Sequence, residues 1–134
     1  MQVVKIIEER YIGNRAEVTE QEYCDAAQVI SAIGKINGKD CTSIAFSTND
    51  ETAFSVGGGE GSRYVAFLAL ATDDAFFTLI DPDKPEDECI DLVVGGQRGS
   101  YPLRQCVDKA TVIQAALYFC QLGKPDPSLN WQDG

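Results

Sequence analysis

The side chains with chemistry to offer here are five cysteines and twenty-one carboxylates, with no histidine anywhere in 134 residues. Without an imidazole base, neither a Ser-His nor a Cys-His nucleophile pair can be built. The cysteines stand at 24, 41, 89, 106 and 120, an odd set without close pairs, which excludes the usual structural zinc spacings. Cys24, Cys106 and Cys120 fall in apolar periodic stretches, where a thiol packs as a small hydrophobe, and all five are read as reduced packing residues. Paired carboxylates could do acid/base work, Asp73 with Asp74 for example, but neighbours on a turn point apart and stay in water. Gly57 to Gly61 lacks a following Lys-Ser/Thr pair and opens no helix, so it reads as a flexible hairpin tip, not a phosphate cradle. The run Asp81-Pro82-Asp83-Lys84-Pro85-Glu86-Asp87-Glu88 is calcium-like only in acidity. The glycine of a calcium loop is missing, and two prolines stiffen the backbone where ligands must converge. It reads as a solvated acidic loop, able to dock a basic partner. No metal and no cofactor are expected, and the chain is read as a non-enzyme.

Composition narrows the classes. Eleven basic residues against twenty-one acidic ones give a formal charge of −10. That field repels nucleic acid and speeds encounter with a basic protein. Hydrophobic residues make up 44% and charged residues 24%, so the chain can bury a core and is not disordered. No apolar run reaches the ~18 residues of a spanning helix. The start, Met1-Gln2-Val3-Val4-Lys5, lacks the pattern of a signal peptide. The expectation is one cytosolic domain over residues 1–134 that does not engage a membrane.

The elements that must position these groups follow from patterning. Val3 to Ile7 is a β-branched run closed by turn residues at Tyr11-Ile12-Gly13-Asn14. Thr19 and Glu22 have capping-box spacing, with Val18 and Tyr23 as a staple, which predicts a first helix running to Gly34–Gly38. Glu22, Asp25 and Gln28 would lie on its solvated face. Strands are then expected at Thr42–Ser47, Thr52–Val56, Arg63–Ala71 and Ala75–Ile80, with the third covered on both faces. Ile90, Leu92 and Val94 share one face of a further strand ended by Gly95-Gly96. Gln97 to Ser100 is predicted as a turn before a last strand from Leu103 to Val107. Tyr64, Phe67, Phe76 and Phe77 are read as sheet core.

The closing segment carries the clearest signals. Asp108 is a good N-cap, with Val107 and Val112 stapled around it. Val112, Ala116, Phe119 and Gly123 define a helical face, with Ile113, Leu117 and Cys120 beside it. Gly123 followed by Lys124-Pro125 stops the helix. Pro125-Asp126-Pro127 then turns the chain back, so that Leu129 and Trp131 drop onto the core as a latch. The expected fold is therefore α+β, a mainly antiparallel meander packed by two principal helices in the order strand, helix, strands, helix, with a C-terminal Trp tail.

Ala115, Ala116, Phe119, Pro125, Leu129 and Trp131, with Gly95-Gly96 upstream, form a pattern that resembles the immunity proteins of bacterial polymorphic toxin systems. The most similar branch is the one often paired with nucleic-acid deaminase toxins. The sharp similarity spans roughly the last 30 residues. It implies a small cytosolic protein of interbacterial competition that binds a cognate toxin domain and blocks it. An acidic protein could do so by occupying the basic groove such a toxin needs for nucleic acid. Contact residues expected on that reading are Asp81, Asp83, Glu86 and Asp87 of the acidic loop, with Glu60, Asp73 and Asp74 at hairpin tips. Arg98 and Tyr101 are candidate anchors, while Thr19, Glu22, Asp108, Phe119, Gly123 and Trp131 are assigned to scaffold. The alternatives are an acidic secretion chaperone and a small carboxylate-dependent enzyme.

Overall fold

The computed structural model describes residues 5–22, 25–48, 51–71 and 75–133. Strands β1 (Lys5–Ile12) and β2 (Arg15–Gln21) come first, then helix α1 (Ala26–Gly34). Strands β3 (Cys41–Ser47), β4 (Ala53–Gly58), β5 (Tyr64–Leu70) and β6 (Ala75–Ile80) follow. Next are β7 (Cys89–Val94), β8 (Gln97–Pro102), helix α2 (Lys109–Leu122) and β9 (Asn130–Asp133). Seven strands form one antiparallel sheet in the order β2-β1-β3-β4-β5-β6-β9, and β7-β8 is a separate hairpin. This is the expected α+β class, with one large antiparallel sheet and two helices.

Alternation divides the sheet into two faces. Ile44, Phe46, Phe54, Val56, Ala66, Leu68 and Leu79 point to the helices and join Val29 and Ile33 of α1 with Val112, Ala116 and Phe119 of α2 in one core. On the other face, Val65 meets Leu92 of β7 and Cys106, with Phe67, Ile90, Val94 and Tyr101 packed around them. Strand β5 is thus covered on both sides over its first half, as its apolar run suggests.

Three expectations about the elements and the cysteines need correction. The first helix does not begin at Thr19. Thr19 lies in β2 and pairs with Glu8 of β1, because Gly13-Asn14 makes a two-residue hairpin connection and seven residue pairs then register β2 on β1. A capping box does exist, six residues later: Gln28 N–H donates to Asp25 Oδ1 at 2.9 Å, and Asp25 N–H donates to the Gln28 side-chain oxygen at 2.8 Å. Glu22 is exposed beyond the end of β2, and Tyr23, the expected staple partner of Val18, lies outside the described residues, as do Val3, Val4 and Cys24. Second, Gln97 to Ser100 is strand, because the tight turn lies at Gly95-Gly96, both with positive φ, while Leu103–Gln105 is a 3-10 turn. Third, Cys89 is exposed, whereas Cys41, Cys106 and Cys120 are buried; burial pushes the Cys41 thiol up to about 11.

Helix α2 begins at Asp108, whose carboxylate accepts from Thr111 N–H at 2.8 Å, and ends on left-handed Gly123. The tail then pairs as β9 with β6, setting Trp131 opposite Leu79. Asp126, only 5% exposed, holds the reversal: Oδ1 accepts from Ser128 N–H at 2.9 Å and Ser128 Oγ at 2.7 Å, and Oδ2 from Gln114 Nε2 at 3.1 Å. Burial works to raise its pKa, but the bonds from Ser128 and Gln114 outweigh it and leave the carboxyl below its ordinary value. A lowered folded-state pKa means that its contribution is complete above the unfolded value of ~3.9 and disappears as pH falls through the lower folded value. Asp126→Asn should therefore cost about 1.5–3 kcal/mol at neutral pH. In thermal melts, the gap between wild type and variant should close on acidification below pH ~4; a gap independent of pH would contradict this role.

Candidate functional site

Strands β4 and β6 run in the same direction, so the residues that follow them emerge at one end of the sheet. Glu60, exposed in a 3-10 turn after β4, and the acidic loop at 81–88 are brought to that shared end. Asp73 and Asp74 lie outside the described residues.

The acidic loop is clamped. At its start, Asp81 N–H donates to Arg104 O at 2.7 Å, and at its end Leu103 N–H donates to Glu88 O at 2.8 Å. Both stems are therefore stitched to the Leu103–Gln105 turn. Inside, Asp83 N–H donates to Asp81 Oδ1 at 3.1 Å and Lys84 N–H to Asp81 O at 3.1 Å, a tight turn of the kind Asp-Pro sequences favour. Lys84 is the only cation of the run, and it turns inward: Nζ donates to Cys106 O at 2.6 Å and stands 4.0 Å from Asp81. Arg104 Nε donates to Lys84 O at 3.2 Å and its Nη1 lies 3.8 Å from Glu86.

The consequence is electrostatic. The cations are used against the backbone and against Asp81 and Glu86, while Asp83, Asp87 and Glu88 are exposed. Among the described residues, none of those three has a cation within ion-pair distance. Asp91, exposed on β7, extends the negative surface along the hairpin. A cleft of about 210 Å³ opens beside the loop, lined by Asp81, Asp83, Asp108, Thr111 and Asn130. The Asp108 carboxyl is held below its usual range by its bonds to Thr111, so it is ionised there at neutral pH. Among the described residues, no three acidic or sulfur ligands converge closely enough to hold a metal ion. The arrangement suits recognition of cationic side chains from another protein.

Of the two candidate anchors, Arg98 is exposed on β8 opposite Val93. Tyr101 instead faces the sheet and is half-buried against the Val65–Leu92–Cys106 cluster, so its ring is engaged inside this chain. The residues that sequence reading passes over are the clampers, Lys84 and Arg104. Their partners lie about twenty positions away, beyond any local signal. Asp126 was also passed over as a lock, although Asp-Pro-Ser is a recognisable side-chain turn.

Comparison with known proteins adds one finding. The model of the family described as Immunity protein Imm1 matches residues 17–133, which is most of the chain. Searches of curated proteins and of solved structures return no match.

Proposed function

The chain belongs to the Imm1 family of immunity proteins, and on that premise we propose that it binds a cognate bacterial toxin domain and neutralises it by covering a cationic active-site region. Within the family reading, the toxin is one that acts on nucleic acid, such as a deaminase. The inhibitor works by occupancy, in the cytoplasm, without catalysis of its own.

The observation that carries this reading is the clamped acidic loop. A toxin that handles a polyanion must present a positive surface near its active site, and a negative surface of fixed shape can take the polyanion's place. The fixing matters because a floppy loop would lose ordering entropy on binding. Here the loop is already ordered by four backbone and side-chain bonds to the Leu103–Cys106 segment.

Co-expression tests it. The toxin domain encoded by the neighbouring reading frame should arrest growth alone and not when this chain is present, and the two should co-purify one to one. Arrest that persists, with no complex, would refute the reading.

A sharper test uses Lys84. Lys84→Met takes the formal charge from −10 to −11, which on charge alone should tighten binding to a basic toxin. Because Nζ ties the loop to Cys106 O, the variant should instead bind roughly five- to tenfold more weakly by calorimetry. Tighter binding would mean that charge alone, and not loop shape, is recognised.

A further inference from the structure

We propose that the sheet face turned away from the helices is the apolar centre of the toxin interface, taken up by a bulky hydrophobic ridge of the cognate toxin with cations at its edge. This rests on the family reading above and names the surface and partner chemistry that the acidic loop alone does not supply.

Register places Ala45, Ser55 and Phe67 in one row across β3, β4 and β5, and Ser47, Ala53, Ala69 and Phe76 in the row beside it across β3 to β6. None of these is charged, in a chain whose charged fraction is 24%. A sheet face left to water ordinarily alternates toward polar side chains. Here the two rows carry alanine, serine and phenylalanine, with Ile7 of β1 and buried Thr78 of β6 at the ends of the first, and depletion of charge with enrichment of aromatics marks the centre of protein interfaces. A second observation is independent of the small residues. Phe76 is 44% exposed and stacks on Phe67, with ring centroids 5.8 Å apart and planes at 22°. This aromatic pair closes one end of the strip at a height the alanine and serine floor does not reach, which leaves room for large side chains between.

The rim selects the occupant. Glu9 and Glu20 border the strip through β1 and β2, with Lys5 of β1 beside Ser47 and 3.5 Å from Glu20, and exposed Glu51 precedes β4, so the rim stays net negative. A second copy of this chain would bring the same carboxylates and a charge of −10 against them. A basic toxin brings the opposite sign. Size agrees with a shared task. Four strands at ~4.8 Å and two rows at ~7 Å give about 270 Å², just under the largest apolar patch of an ordinary monomer and about a third of the ~800 Å² that each partner of a stable complex buries. The remainder must come from adjoining surface. The hairpin provides the continuity: β7 follows directly from the acidic loop and crosses this face, with Gly57 of β4 lying beneath Val94 and Gly96 N–H donating to Thr42 Oγ1 at 2.9 Å.

The test uses the full chain and the toxin domain encoded beside it, by calorimetry at physiological and at high salt. Ser55→Glu adds negative charge, so attraction alone predicts tighter binding. The strip predicts a loss of roughly thirty-fold at both salt concentrations, because the floor is blocked. Phe76→Ser should lose roughly tenfold, with its melting temperature near that of wild type. If Ser55→Glu does not fold, Ala53→Gln and Phe76→Ser decide by the same losses. Wild type that binds while the folded variants bind equally well overturns the strip and leaves the parent reading standing. Wild type that does not bind overturns the parent reading, and this inference with it. Self-association of the chain that these variants abolish would also overturn the proposal, since a second copy would then be the occupant.

Discussion

Trp131→Ala should lower stability by about 3 kcal/mol and the melting temperature by roughly 10 °C. The indole belongs to the helix side of β9, where it meets Phe54 edge-on at 6.3 Å between centroids and packs on the main core. Its Nε1–H donates to Asp126 O at 3.0 Å, which joins the ring to the reversal that Asp126 holds. Because the side chain stays half-exposed, the loss falls at the lower end of the range for aromatic truncation in a core. Trp131→Phe keeps an aromatic ring and loses the N–H bond, so it should recover more than half of the deficit. Toxin binding by the folded fraction should not change. A loss below 1 kcal/mol would mean that β9 is not part of the cooperative fold.

Charge reversal on the clamped loop should do the opposite. Asp83→Lys with Asp87→Lys should slow association with the toxin roughly tenfold or more at low salt, with the melting temperature unchanged. The pair is chosen from the carboxylates without a cation partner. Asp81 is unsuitable, because it accepts from Asp83 N–H and stands against Lys84, so its reversal would disturb loop shape as well as charge. The defect should shrink as salt rises, since exposed charges are screened within ~10 Å at 0.1 M. Unchanged association with the double variant would remove the loop from the encounter surface.

How much of this was legible depended on whether the deciding partner was near in sequence. Helix α2 was readable because its cap, apolar face and glycine stop lie within sixteen residues, Asp108 to Gly123, and each is a local device. The tail's apolar contacts were foreseen, but its pairing as β9 was not, since four residues beyond a proline turn carry no strand periodicity of their own. Thr19 and Glu22 misled for the converse reason. Their spacing is a genuine local signal, and it lost to the register that Gly13-Asn14 imposes between β1 and β2. The acidic loop was recognisable by composition alone. Its rigidity was not, because Lys84 and Arg104 act across the chain on Cys106, Glu86 and the loop backbone. The alternation of β3 was visible, yet which of its faces stays uncovered is decided by where the distant β7-β8 hairpin comes to rest. Phe76, read as core, proved substantially exposed for that reason.

The most direct test of inhibition by occupancy is a titration of the cognate toxin's activity with the purified chain. Activity should fall in a straight line to zero at one equivalent, and it should return when the complex is taken apart. Loss of activity at a small fraction of an equivalent, persisting after the chain is removed, would show turnover instead and contradict the account.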